Sequence, residues 1–152
     1  MGLDWIPFPA PCKIQGKVPY IVKDGKKLVN CEECPLGFKE AYESGKHPVG
    51  ILGTYCWYRG KVLAYLLDDL GFDGSSCYGQ LDNGRFVLRE GDLREILALV
   101  TELLEDREGT ERLVEERMKP ECLETVLWVL ESAKWWIERI LELGVREVDC
   151  WF

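Results

Sequence analysis

The residue types that could do chemistry are concentrated between Cys31 and Gly79. This stretch contains four of the seven cysteines, the single histidine and a dense group of aromatic side chains. Cys31 and Cys34 have two residues between them, and at this spacing two thiolates from one turn can bind the same metal ion. Zinc prefers four ligands at the corners of a tetrahedron, and Cys56 and Cys77 are the expected source of the other two.

The first hypothesis is therefore a structural zinc site formed by Cys31, Cys34, Cys56 and Cys77, in which His47 could replace one thiolate. The same four thiolates could also hold an iron–sulfur cluster, and their spacing does not separate the two metals. The chain has no second Cys-x-x-Cys pair and its later candidate ligands occur singly, so the pattern is less specific than that of a zinc ribbon.

A dithiol redox enzyme that uses Cys31 and Cys34 is the alternative from a different functional class. Pro35 is typical of a first helical position, which makes Cys34 the N-cap of a helix. Unpaired backbone N–H groups and the helix dipole stabilise a thiolate at such a position. Glu32 and Glu33 lie between the two thiols, however, and their negative charge disfavours thiolate formation.

The cysteines could also be plain structural residues, either small core side chains or disulfides. Seven is an odd number, so at least one thiol stays unpaired in a monomer. Cys12, Cys122 and Cys150 are the expected structural ones, because Cys122 flanks the apolar face of the last helix and Cys150 lies in an apolar C-terminal tail. Only four amide side chains accompany abundant Glu, Lys and Arg, a composition typical of heat-adapted (thermophilic) proteins. Cytosolic disulfides occur in such organisms.

A group of aromatic and polar side chains in the same stretch could form a pocket for a small ligand. Small-molecule pockets are lined by aromatic rings with a few polar groups that fix orientation. The candidate lining residues are the aromatic residues Tyr55, Trp57, Tyr58 and Tyr78, together with His47 and Arg59. The competing interpretation is that these rings pack in the core or in an interface.

Composition and charge restrict the remaining functions. The formal net charge of the 152-residue chain is −8, which repels nucleic acid and anionic membrane surfaces. No apolar run approaches the roughly 20 residues that a membrane-spanning helix needs. The N-terminal residues lack the basic and apolar regions of a signal peptide, so we expect a cytoplasmic protein.

Turn signals divide the first half of the chain into short elements. Four prolines within residues 1–19 predict an extended arm that lies against the body of the protein. Two β-prone runs at 20–23 and 26–29 flank Asp24-Gly25, the strongest short signal for a β-hairpin.

Two short helices and a second hairpin are also expected before residue 90. The helices are predicted over about 35–44 and 54–70, and the hairpin strands over 78–81 and 85–88. Gly60 inside the second helix lowers its stability, which suggests that another group packs closely on that turn.

The second half of the chain is amphipathic helix. Helical spacing of apolar residues predicts a helix over 93–107, with Asp92 and Glu95 in a capping-box arrangement, and Thr110 caps a shorter helix that ends near 119. The last helix begins at Pro120 and ends before Gly144.

The last helix also carries a candidate interface. Its apolar stripe predicts one buried face, and at about 100° per residue Trp128 and Trp135 fall on the opposite, polar face. Tryptophans on a polar face need a partner, either another part of this chain or an interface with a protein partner or a second copy.

These patterns predict an α+β fold in a single domain over 1–152. Hairpins, the Cys-x-x-Cys pair and two short helices occupy 1–90, and they pack on a helical scaffold over 91–144. The favoured function is a non-enzymatic binding or adaptor protein with a structural metal site. The alternatives are the dithiol enzyme and a small-ligand-binding protein with its pocket around Tyr55 to Arg59.

Overall fold

The computed structural model describes residues 4–8, 20–23, 26–29, 51–52, 57–72 and 85–151. At 20–23, 26–29, 51–52, 85, 86 and 151 only the backbone is described. Within these residues the fold is α+β, as the sequence predicts. The strands are β1 (Asp4–Phe8), β2 (Tyr20–Lys23), β3 (Lys26–Val29), β4 (Ile51–Leu52), β5 (Trp57–Arg59), β6 (Arg85–Arg89) and β7 (Glu147–Trp151). The helices are α1 (Gly60–Asp69), α2 (Glu90–Glu105), α3 (Arg107–Arg117) and α4 (Leu123–Glu142), with a short 3-10 turn at Pro120–Cys122.

The first and last described strands lie side by side in the main sheet. This sheet has five antiparallel strands in the order β4-β5-β1-β7-β6. Trp5 of β1 is paired with Tyr58 of β5 on one side and with Cys150 of β7 on the other. Residues 4–8 of the proline-rich arm are therefore extended, as expected, but they form a central strand of the sheet, and the C-terminal tail is a strand as well.

A proline is tolerated in β1 because its neighbour β5 is short. Strand β5 is paired only with Asp4 and Trp5, whereas β7 follows β1 as far as Phe8. Pro7 therefore lies where the described sheet has a neighbouring strand on one side only, as proline in a strand requires, because it has no N–H to donate.

Side chains alternate between the two faces of the sheet. Trp5, Pro7, Tyr58, Val148 and Cys150 are buried on the inner face. The inner face carries a cluster of three aromatic rings, in which Trp136 of α4 stacks on Tyr58 at 5.2 Å between ring centroids and lies 6.2 Å from the ring of Trp5. Trp5 meets Tyr58 edge-on at 5.6 Å, and such pairs each contribute about 0.5–1.5 kcal/mol beyond their buried area.

Helix α1 is shorter than the sequence predicts. The predicted helix over 54–70 is wrong at its start, because Trp57–Arg59 is strand β5 and the helix begins at Gly60. Alternation along these β-prone residues directs Tyr58 into the core. The end was predicted correctly, since Gly71 follows the helix with φ +91°, a conformation that favours glycine.

The helix caps of the second half differ in detail from the expected ones. Asp92 is the third residue of α2 and not its N-cap, and its carboxylate accepts a 2.9 Å hydrogen bond from the backbone N–H of Arg89. Asp106, and not Thr110, caps α3 by accepting from the N–H of Gly109 at 3.0 Å. Thr110 is not a cap because the helix begins three residues before it, and its buried hydroxyl donates to the Leu103 carbonyl at 2.5 Å.

Helix α4 ends as predicted. Gly144 has φ +82°, and the N–H of Val145 donates to the Ile140 carbonyl at 3.0 Å while the N–H of Gly144 donates to Leu141 at 3.1 Å. This is a Schellman ending, which satisfies the last carbonyls of the helix and turns the chain back. Val145 is fully buried and leads directly into β7.

The first predicted hairpin is confirmed. The second strand of the other predicted hairpin is also present, and its described partner is β7. Strands β2 and β3 pair with Tyr20 opposite Val29 and Lys23 opposite Lys26. Strand β6 confirms the second strand of the other hairpin, but in the described residues it pairs with β7. The predicted strand at 78–81 and the predicted helix at 35–44 lie outside the described residues.

We predict that Gly60→Ala destabilises the fold. A Cβ atom at Gly60 would overlap the indole ring of Trp5, which is buried and held between its neighbours. Overpacking of this kind costs about 1–3 kcal/mol. Urea denaturation measures the loss in the free energy of unfolding.

Gly91→Ala is the matched control, because nothing lies within 4 Å of its added Cβ in the first turn of α2. It should be neutral or stabilise the protein by about 0.5 kcal/mol. Equal free energies of unfolding for the two variants would contradict the packing of Trp5 on Gly60.

Candidate functional site

The predicted metal ligands lie outside the described residues. This holds for Cys31, Cys34, Cys56 and Cys77, so the proposed convergence of their sulfurs stays a prediction. Within the described ranges no group of three or more His, Cys, Asp or Glu side chains could hold a metal ion. The described part of the chain contains two further thiols, Cys122, half-buried in the 3-10 turn before α4, and Cys150, buried in β7.

Two of the predicted pocket residues share the outer face of strand β5. Trp57 is half-buried and Arg59 is exposed, and alternation separates both from Tyr58 on the inner face. The Nε atom of Arg59 lies 3.8 Å from the Oδ1 atom of Asp4 on the neighbouring strand. The other three predicted lining residues, His47, Tyr55 and Tyr78, lie outside the described residues.

The outer face of the sheet combines apolar and charged side chains. Phe8 is 66% exposed and Val87 is 45% exposed. Their cross-strand neighbours on β7 are Glu147 and Asp149. Among the side chains that the structure describes, charges therefore interrupt the apolar positions on this face.

The two tryptophans predicted as an interface differ in exposure. Trp128 is 49% exposed, and its carbonyl accepts a 2.9 Å hydrogen bond from Ser132. Trp135 is half-buried and packs against the edge of the core. Of the two interpretations of tryptophans on this side of α4, contact with the same chain applies to Trp135, and the interface at Trp128 stays a prediction.

Sequence reasoning missed the third tryptophan of this helix. Trp136 is fully buried and is part of the aromatic cluster on the inner face of the sheet. It lies three residues after Ala133 and four before Ile140, both of which belong to the predicted apolar stripe. This i, i+3, i+4 relation was the signal that could have identified it.

The exposed residues at the start of α4 and in the turn before it are acidic around Trp128. We call these five residues the Trp128 surface: Glu121, Glu124, Thr125, Trp128 and Glu131, all exposed. Residues 121–133 contain three carboxylates and no Lys or Arg. The Nη2 atom of Arg107 on α3 lies 3.8 Å from the Oε1 atom of Glu124, with both side chains largely exposed.

An ion-pair network joins the start of α2 to the segment that precedes β7. The Oε1 atom of Glu90 accepts hydrogen bonds from Arg94 and from Arg146, each at 2.9 Å. The hydrogen bond from Arg94 is the main cause that holds the pKa of Glu90 below its ordinary value of 4.5, and the charges of Arg146 and Arg94 act in the same direction. Glu90 thus links two segments that are far apart in the sequence.

Comparison with known proteins found no matching family model, no matching curated protein and no matching solved structure. Among the described helices, none combines the length and the apolar character that crossing a membrane requires.

We predict that Glu90→Gln destabilises the protein at pH 7 and that this loss shrinks in acid. Because the pKa of Glu90 is lower in the folded state, its contribution is fully present above about pH 4.5 and disappears as the pH falls through the lowered folded value. Chemical denaturation at a series of pH values between 7 and 3 measures the difference from wild type.

Glu95→Gln serves as the control, because Glu95 is an exposed carboxylate on the same helix. It should change stability less than Glu90→Gln at pH 7. A difference between wild type and Glu90→Gln that stays constant down to pH 3 would contradict the role of the network.

Proposed function

We propose that this chain is a non-enzymatic binding protein that recognises a protein partner through the Trp128 surface. The observation that carries the proposal is the 49% exposure of Trp128 on a helix whose opposite face is built into the core. Tryptophan is among the residues most enriched at interface hot spots, because one side chain supplies a large contact area at a low cost in conformational entropy.

The packing of α4 supports this proposal by making the surface rigid. Val126, Leu130 and Ile137 are buried at intervals along α4, so the helix is fixed to the rest of the fold on both sides of Trp128. Trp135, half-buried seven residues after Trp128, supports the same side of the helix. A rigid surface loses little entropy on binding, which leaves more of the contact energy as affinity.

We further propose that Cys31, Cys34, Cys56 and Cys77 form a structural metal site, with zinc as the expected ion. The spacing of the Cys-x-x-Cys pair supports this, and so does the course of the chain after Cys56. The three residues that follow Cys56 are a strand and do not belong to the helix predicted over 54–70, in which a metal ligand would be less usual. Such a site contributes folding energy directly.

We predict that Trp128→Ser weakens association and that Tyr65→Ser does not. Tyr65 is also 49% exposed but lies on α1, so Tyr65→Ser removes an equally exposed ring from a different surface. Sedimentation velocity over a range of concentrations reports self-association of the 17.5 kDa chain. If the partner is a second copy, wild type and Tyr65→Ser sediment as a larger species and Trp128→Ser does not.

A wild-type protein that is monomeric at every concentration would remove the second copy as the partner. The proposal then depends on binding to a different protein, for which the peptide titration described below provides the test. Self-association that Trp128→Ser leaves unchanged would contradict the assignment of the interface to this surface.

We predict about one equivalent of zinc in the purified protein, bound by the four cysteines. Cys31→Ser and Cys34→Ser should each reduce the metal content and lower the melting temperature, because three remaining ligands hold the ion less well. Elemental analysis and thermal denaturation measure both effects. Cys122→Ser, at a half-buried thiol outside the proposed set, should keep its metal.

The same experiment separates the alternatives. Iron with a visible absorption band would identify a cluster in place of zinc. A metal-free protein whose melting temperature does not respond to chelator would end the metal proposal. A reversible disulfide between Cys31 and Cys34 in that protein would support the dithiol enzyme, and thiols that stay inert to alkylation at neutral pH would not.

A further inference from the structure

We infer that the partner segment bound at the Trp128 surface is cationic, with Lys or Arg side chains beside apolar ones. This inference rests on the proposed binding function and names the chemistry of its ligand. It follows from the charges around Trp128, from the chemistry of the indole ring and from the net charge of the chain.

The charges around Trp128 are of one sign along the helix. Glu124 and Glu131 lie four residues before and three residues after Trp128, which makes them its neighbours on the helix surface. Glu121 lies seven residues before it and is exposed in the 3-10 turn that precedes α4. Complementary potentials across an interface select the partner, so this surface selects a positive one.

The one ion pair of this surface within the described residues does not neutralise it. Arg107 and Glu124 are 3.8 Å apart, and their side chains are 65% and 86% exposed. An exposed pair at that distance contributes little and is screened by salt. Glu124 can therefore exchange this contact for one with a partner at small cost, while Glu121 and Glu131 add their charges.

The indole ring favours the same class of ligand. The face of an aromatic ring carries negative potential, and tryptophan attracts Lys and Arg more strongly than the other aromatic residues do. The same chemistry occurs on α1, where the Nζ atom of Lys61 lies 5.2 Å from the centre of the Tyr65 ring. A segment with apolar and cationic side chains can thus contact the ring and the carboxylates together.

The net charge of −8 argues against a second copy in a symmetric arrangement. A twofold interface brings the same patch of both subunits together. Two Trp128 surfaces in contact would place six carboxylates near one another, and like charges across an interface disfavour association. The carboxylates instead attract a cationic partner across the interface, and the net negative charge attracts it over longer distances as well.

A titration with three matched peptides tests the inference. The peptides are amphipathic helices with the same leucine positions, and their polar positions are all Lys, all Gln or all Glu. Amide chemical shifts of the isotopically labelled full-length chain report both the affinity and the residues affected. The Lys peptide is expected to perturb residues 121–135 and to bind at least tenfold more tightly than the Gln peptide, with affinity that falls as salt is added.

Matched variants connect the binding to named side chains. Trp128→Ser should lower the affinity for the Lys peptide about tenfold or more, which is the loss typical of an interface hot spot. Trp128→Phe should restore part of this affinity. Glu131→Gln should weaken binding a few-fold and reduce its salt dependence. Tyr65→Ser should bind like wild type, and circular dichroism verifies that each variant is folded.

The outcomes distinguish this inference from the function on which it rests. Equal binding of the Lys and Gln peptides at residues 121–135 would overturn the cationic partner and leave the binding surface in place. Perturbations by the Lys peptide spread over the acidic surface and unaffected by Trp128→Ser would overturn the inference as well. If no peptide perturbs α4 and the chain does not self-associate, the binding function itself is wrong.

Discussion

The burial of Trp5 is the interaction on which the described structure depends. Its indole lies against Gly60, its ring contacts Tyr58 and Trp136, and its backbone belongs to the strand at the centre of the sheet. One side chain thus joins the start of α1, the inner face of the sheet and the middle of α4. The close approach requires glycine at position 60, since any Cβ there would occupy the space of the ring.

The two faces of helix α4 differ in composition and in burial. Its buried side supplies Trp136 and a set of aliphatic residues to the core, and its exposed side carries Trp128 among carboxylates. The Schellman ending at Gly144 then directs the chain into β7, so that the helix is fixed at its end as well as along its length. A side chain that projects from such a helix is therefore attached to a rigid backbone.

The parts of the fold that could be predicted from sequence are those decided locally. The apolar stripe of α4, the glycines that end α1 and α4, and the β2–β3 hairpin all follow from spacing or turn chemistry within a few residues. Strands β1 and β7 could not be predicted in the same way, because their pairing joins residues 4–8 to 147–151 and leaves no local signal. The predicted start of α1 was wrong for the same reason. Tyr58 packs against Trp5 and Trp136, which are far from it in the sequence, and residues 57–59 therefore form a strand. The exposure of Trp128 followed from helical spacing, whereas the half-burial of Trp135 depends on neighbours that the helix wheel does not contain.

The pairing of β1 with β7 also sets the order of events during synthesis. Because residues 147–151 are made long after residues 4–8, β1 can pair with β5 well before its other neighbour, β7, exists. Contacts that span so many residues form slowly, and an unpaired strand edge is open to other chains in the meantime. On the ribosome, helices such as α2 and α3 can form early, whereas the main sheet is complete only after β7 has left the exit tunnel.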